Sequence, residues 1–197
     1  MIGVPINLKS IKEAGTMSAQ TEKEEAVPLS GEQMTLLTGL TPTLYADLAR
    51  ARTVDDVMAG GACLVFFTTS RHGQDASGHW FTFFERPDGA IELFDSYGIR
   101  ADQERSFLSK AARVALGEDK PLLLELFARS GRKVYVSHGR FQSSDPTVQT
   151  CGDWCATRLA NRDKTIDEFW AMSHQKGQAQ GDAWVVGQTW PHLLKRE

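Results

Sequence analysis

The sequence is poor in the features that mark export and membranes. Three cysteines in 197 residues are too few for a disulfide framework. No stretch of 18 or more apolar residues offers a membrane-spanning helix. The opening MIGVPINLKSIKE lacks the apolar core of a secretory signal, so a reducing compartment and free thiols are expected. Neither charge sign dominates: 22 Lys and Arg against 25 Asp and Glu leave a net charge of −3. That balance argues against binding nucleic acid or an anionic membrane through bulk charge. Internal repeats and low-complexity blocks are absent too. What is present is ordinary for a soluble domain, 41% hydrophobic and 24% charged residues, at a length that suits one domain.

Residues 1–29 are polar and patternless, SAQTEKEEAVP among them, and read as a flexible N-terminal segment ahead of a single domain over 30–197. Ser30 and Gln33 have capping-box spacing for a helix that closes near Gly39. Thr41-Pro42 opens a second helix carrying Leu44, Tyr45 and Leu48, and Thr53 caps a third with Asp56. The period then changes. CLVFF (63–67) reads as a buried strand, 71–78 as a loop and the aromatic 79–84 as a second strand. Arg86-Pro87-Asp88-Gly89-Ala90 has turn chemistry, and 91–95 is the returning strand of a hairpin. Helices are expected over 101–116, 151–161 and from Thr165 to Met172, with a strand at 133–137; 121–131 fits either a helix or a strand, with helix preferred because Leu122, Leu126 and Arg129 match its period. The fold class is α+β: a central mixed or antiparallel sheet that carries the hairpin and is packed by helices.

The hairpin and the helix at 151 hold the candidate chemistry. If Pro87-Asp88-Gly89 forms a three-residue loop, Phe81 falls opposite Asp95. His79 and Asp95 then share a face as diagonal neighbours, roughly 7–8 Å apart at Cβ or somewhat less. A slip of one residue would put them on opposite faces. Cys151 opens a helix, where the dipole and unpaired backbone N–H groups favour a thiolate and can hold an oxyanion. Gly152 lets a ligand approach the backbone. Cys155, one turn on, and Cys63, in an apolar strand, read as buried packing residues.

Other uses of the Cys and His residues fit less well. Cys-x3-Cys with scattered His79, His138 and His174 is a weak zinc pattern, and the usual Cys-x-x-Cys redox pair is absent. A catalytic thiol served by a distant His and an acid is a further pattern, and the spacing alone leaves it level with a surface His and Asp near a turn.

These residues resemble a known superfamily. Gly78-His79-Trp80, then Leu93-Phe94-Asp95-Ser96-Tyr97-Gly98, then Gln142 ahead of Thr150-Cys151-Gly152 is similar to the adenovirus-proteinase and SUMO-protease cysteine peptidases, and most similar to virus-encoded members. The resemblance implies a thiol protease with Cys151 as nucleophile, His79 as general base and acid, and Asp95 orienting the imidazole. Gln142 would donate to the oxyanion, with Gln149 as the alternative, and Trp80 and Gly152 would flank the substrate. It implies no metal or organic cofactor. The partner is a protein or polyprotein substrate, with an activating peptide as a second one, and DNA is not expected given the acidic balance. The implied role is cleavage of viral precursor proteins during virion maturation, in host cytoplasm or nucleus or inside the particle. Removal of ubiquitin-like proteins, acetyl transfer through the same pair, and a non-catalytic binding module are the competing expectations.

Overall fold

A computed structural model describes residues 19–194, apart from 73–74, 138 and 176–177. Five strands form one mixed sheet: β1 (Thr43–Leu44), β2 (Ala62–His72), β3 (Asp75–Glu85), β4 (Ile91–Phe94) and β5 (Val134–Val136), side by side in that order. The inner pairs are antiparallel, and β1 and β5 join the edges in parallel. Among the described residues, seven α-helices pack with the sheet: α1 (Ala19–Glu25), α2 (Gly31–Thr38), α3 (Lys110–Leu116), α4 (Leu122–Ser130), α5 (Cys151–Ala160), α6 (Ile166–Ser173) and α7 (Gln178–Leu194). The α+β class with helices packed on a mixed sheet is therefore the observed architecture.

Alternation along the strands divides the core. Cys63, Val65, Phe67, Phe81 and Phe83 pack with Tyr45 and with Leu122, Leu126 and Phe127 of α4. Leu64, Trp80 and Phe94 pack with Cys151, Trp154 and Cys155 of α5, Phe169 of α6 and Val185 of α7. This is the period-two logic of a strand buried on both faces.

The hairpin has the expected turn. The Arg86 N–H donates to the Ala90 carbonyl at 2.8 Å and the Gly89 N–H to that of Arg86 at 2.9 Å. Gly89 takes the left-handed φ of 78° that the turn requires. The pairing runs from Glu85 opposite Ile91 to Thr82 opposite Phe94, so the next step puts Phe81 opposite Asp95.

Several expected elements differ. The flexible segment expected over 1–29 does not hold for 19–29: α1 forms there, Glu25 is buried, and Leu29 is sunk in the α5 core. Those few side chains are anchored by tertiary contacts that composition does not reveal; residues 1–18 lie outside the described residues. The helix expected after Pro42 is a two-residue strand followed by a 3-10 turn over Tyr45–Arg50. The helix over 101–116 breaks into a 3-10 turn (Gln103–Phe107) and α3, because Ser109 caps a new helix start. The loop at 71–78 is largely strand, with β2 and β3 running to His72 and from Asp75. The 17-residue α7 has no counterpart in the sequence reading, since its glycines and Pro191 break the helical pattern.

Helix α5 is locked onto the hairpin through charge. Arg158, fully buried, donates through Nε and Nη2 to Glu92 Oε1 of β4 at 2.9 and 2.8 Å, and Arg86 donates to Glu92 Oε2 at 2.8 Å. Removing one partner strands a buried charge. Glu92→Ala is expected to cost about 3–5 kcal/mol in urea denaturation, while Glu85→Ala, at an exposed ion pair with Arg132, should cost under about 1 kcal/mol.

Candidate active site

The register of the hairpin brings His79 and Asp95 into contact. His79 Nε2 and Asp95 Oδ2 lie 2.6 Å apart, with both side chains almost wholly enclosed. Asp95 is fixed from other directions: its Oδ1 accepts the Tyr97 backbone N–H at 2.7 Å, and its own N–H donates to Ser137 Oγ at 3.2 Å. The Cys151 side chain hydrogen-bonds the same imidazole. With Nε2 held by Asp95, Nδ1 is the nitrogen that faces the thiol. Burial alone would depress the imidazole. The Asp95 charge and hydrogen bond, joined by those of Cys151, overcome it and hold His79 well above its usual 6.5. The arrangement favours the charged form of the ring.

Cys151 is the first residue of α5, where the first backbone N–H groups have no partner within the helix. The start of α5 is braced by Asp182 of α7. Asp182 Oδ1 accepts from Thr150 Oγ1 at 2.6 Å and from Trp154 Nε1 at 2.8 Å, and Oδ2 accepts the Ser143 N–H at 2.9 Å. One carboxylate thus ties the loop before the nucleophile, the first turn of α5 and α7 together. On the other side the Trp80 indole donates to the Leu29 carbonyl at 3.0 Å, and the Gln149 N–H donates to that of Glu25 at 2.7 Å.

The substrate contacts expected of Trp80 and Gly152 meet a different arrangement. The close approach at Gly152 is made by the protein itself: a Cβ there would sit 3.0 Å from Met34 Sδ, 3.1 Å from Leu29 Cβ and 3.2 Å from Trp80 Cδ1. Both residues shape the site from behind, with the partly buried Phe66 ring tilted against Trp80 at 4.6 Å.

Of the two glutamines, Gln142 lies against Ser96 and Tyr97. Its backbone is held by the Ser96 carbonyl, which accepts the Phe141 and Gln142 N–H groups at 2.8 and 2.9 Å. Its Oε1 accepts from Ser96 Oγ at 2.9 Å, and its Nε2 donates to the Val148 carbonyl at 3.0 Å and to Tyr97 Oη at 3.3 Å. The Gln149 amide turns onto its own loop and donates to the Pro146 carbonyl at 3.0 Å.

The sequence reading missed Asp182 and Tyr97. Asp182 lies on a helix it did not find. Tyr97 stands two residues after the acid in the turn that follows β4, a spacing that offers one signal: a residue so close in the chain stays beside it. Its ring stacks on His79 with centroids 4.9 Å apart and planes 23° apart.

Four further buried carboxyls have raised values. Burial, then the Asp182 and Glu22 charges, pushes Glu25 up to about 7. Burial, then Asp95, pushes Glu104 up to about 8. Burial pushes Glu118 and Asp153 up to about 7. Unfolded, all four ionise near pH 4. Between those values the native state binds more protons than the unfolded one, so stability falls as pH rises. The imidazolium of His79 adds the same sign, since its contribution is full below 6.5 and lost as pH climbs through its raised folded value. The urea midpoint is expected to be lower at pH 8.5 than at pH 5.5; a flat or rising profile would contradict these assignments.

No protein-family model matches the chain. The central domain of the uncharacterized Lpg1148 protein from Legionella pneumophila is similar at 18% identity, over 72% of this chain and 78% of that one, with a TM-score of 0.35. The uncharacterized protein V9 of Sputnik virophage is 33% identical over 127 residues, which span 64% of this chain and 70% of V9. That identity over most of the virophage protein shows common descent: the chain belongs to the family of Sputnik virophage protein V9.

Proposed function

We propose that the chain is a cysteine endopeptidase in which Cys151 is the nucleophile, His79 the general base and acid, and Asp95 the group that orients and charges the imidazole. The observation that carries this reading is the 2.6 Å contact between His79 and Asp95, on a ring that also hydrogen-bonds Cys151 at the start of α5. Three chain-distant residues converge in the order a thiol hydrolase requires. A buried packing thiol has no need of an imidazole that itself carries an acid.

The chemistry follows from those contacts. The Cys151 thiolate adds to a peptide carbonyl carbon, and the carbonyl electrons move onto oxygen. The oxyanion forms between the first N–H groups of α5 and the side of the site held by Gln142 and Tyr97. On collapse, the C–N bond breaks and imidazolium His79 gives its proton to the leaving amine. Neutral His79 then takes a proton from water, which attacks the thioester and regenerates the thiolate. Asp95 keeps the ring oriented through both steps.

Access is narrow, with Cys151 and His79 each only 5% exposed. An extended backbone segment fits such an approach better than a folded surface does. Together with the virophage relative, this favours flexible junctions of viral precursor proteins as substrate, cut in the infected cell or within the assembling particle.

The test is to incubate the purified chain with structural precursors encoded in the same genome and to map new termini by mass spectrometry. Cleavage at defined junctions is expected, lost in Cys151→Ala and reduced by at least about 10³-fold in His79→Ala. Cleavage of ubiquitin-like fusions alone would move the substrate to that class. Equal products from wild type and Cys151→Ala would contradict the proposal.

A further inference from the structure

Tyr97 meets three of the four residues expected to do the chemistry, one through its backbone and two through its side chain. Its N–H holds Asp95 Oδ1, its ring covers His79, and its Oη accepts from Gln142 Nε2. Its hydroxyl also lies within reach of the Cys151 charge, which raises Tyr97 after burial; with Asp95 and Asp182 adding and Arg140 opposing, it stands at about 12. The phenol therefore keeps its hydrogen throughout the neutral range.

The hydrogen-bond arithmetic at Gln142 decides where that hydrogen goes. The Val148 carbonyl can only accept, so the atom facing it is the amide nitrogen, Nε2. Ser96 Oγ donates to Oε1 and fixes the other end. The amide nitrogen has two hydrogens, one directed to Val148 and one to Tyr97 Oη. Both are thus engaged in this arrangement. Because Tyr97 Oη receives a hydrogen from Gln142, its own O–H points elsewhere, and no acceptor among the described residues takes it.

We propose that Tyr97 is a catalytic residue whose hydroxyl donates to the oxyanion, with Gln142 positioning that hydroxyl rather than reaching the substrate itself. The inference rests on the cysteine-peptidase reading. A polarised donor at the mouth of a largely enclosed site is matched to a carbonyl oxygen that gains charge as Cys151 attacks. Gln142 would aim the phenol and, by donating to its oxygen, make its hydrogen a stronger donor.

Two reactions at Cys151 separate the roles. Alkylation by iodoacetamide displaces iodide in one step and forms no oxyanion, so it reports the thiolate alone. Acylation by p-nitrophenyl acetate forms the S–C bond through a tetrahedral oxyanion and expels p-nitrophenolate, so it reports the thiolate and the oxyanion donors together. Tyr97→Phe keeps the ring over His79 and removes only the hydroxyl. It should alkylate Cys151 within about twofold of wild type and acylate about 10²-fold more slowly. Gln142→Ala should show the same selective loss. Unchanged acylation in Tyr97→Phe, with loss confined to Gln142→Ala, would overturn the proposal and make Gln142 the direct donor. Equal losses in alkylation and acylation would also overturn it, because Tyr97 would then act on the ion pair. If wild-type Cys151 acylates no faster than an unfolded thiol, the peptidase reading itself fails, and the proposal fails with it.

Discussion

The register of the β3–β4 hairpin is the constraint on which the site depends. Side chains alternate along a strand, so His79 and Asp95 meet only if the loop holds three residues. Arg86, Asp88, Gly89 and Ala90 secure that length through local hydrogen bonds and one left-handed residue. Arg158 reaches across from α5 to Glu92, two residues from the turn's far end. The buried ion pair therefore does more than join a helix to a sheet. It couples the strand pairing that builds His79–Asp95 to the helix that carries Cys151.

The opposite end of α5 is organised differently. Asp182 gathers Thr150, Trp154 and Ser143 around one buried carboxylate, which fixes the chain on both sides of the nucleophile. Leu29, Met34 and Trp80 close over Gly152. Helix α5 is thus gripped by charge at both ends and by apolar contacts at its start. A thiol and an imidazole can be held in hydrogen-bonding contact only if neither element drifts, and productive geometry of this kind tolerates errors well below 1 Å.

The elements legible in the sequence were those governed by local chemistry. The Ser30–Gln33 and Thr165–Glu168 caps, the Pro87-Asp88-Gly89 turn and the amphipathic α4 each have their cause within a few residues. His79, Asp95 and Cys151 could be grouped because the turn makes a register argument possible and Cys151 stands at a helix start. What stayed hidden rests on tertiary contact. Nothing local announces that Asp182 serves α5, that Leu29 is buried, or that α7 forms across two glycines and a proline. Tyr97 was visible as a residue but not as a neighbour of Gln142, since their separation of 45 residues is closed by tertiary bonds such as those that the Ser96 carbonyl and hydroxyl make to 141–142.

The central claim is that His79 is an imidazolium held by Asp95 and Cys151. The most direct measurement is a pH titration of histidine side-chain nitrogens by NMR, with the His79 signals assigned from a His79→Gln spectrum. The account predicts both ring nitrogens protonated at pH 7.5 and a titration well above 6.5, falling when Asp95 is replaced by Ala. A neutral ring at pH 7.5 that titrates at or below 6.5 would contradict it, and with it the thiolate chemistry assigned to Cys151.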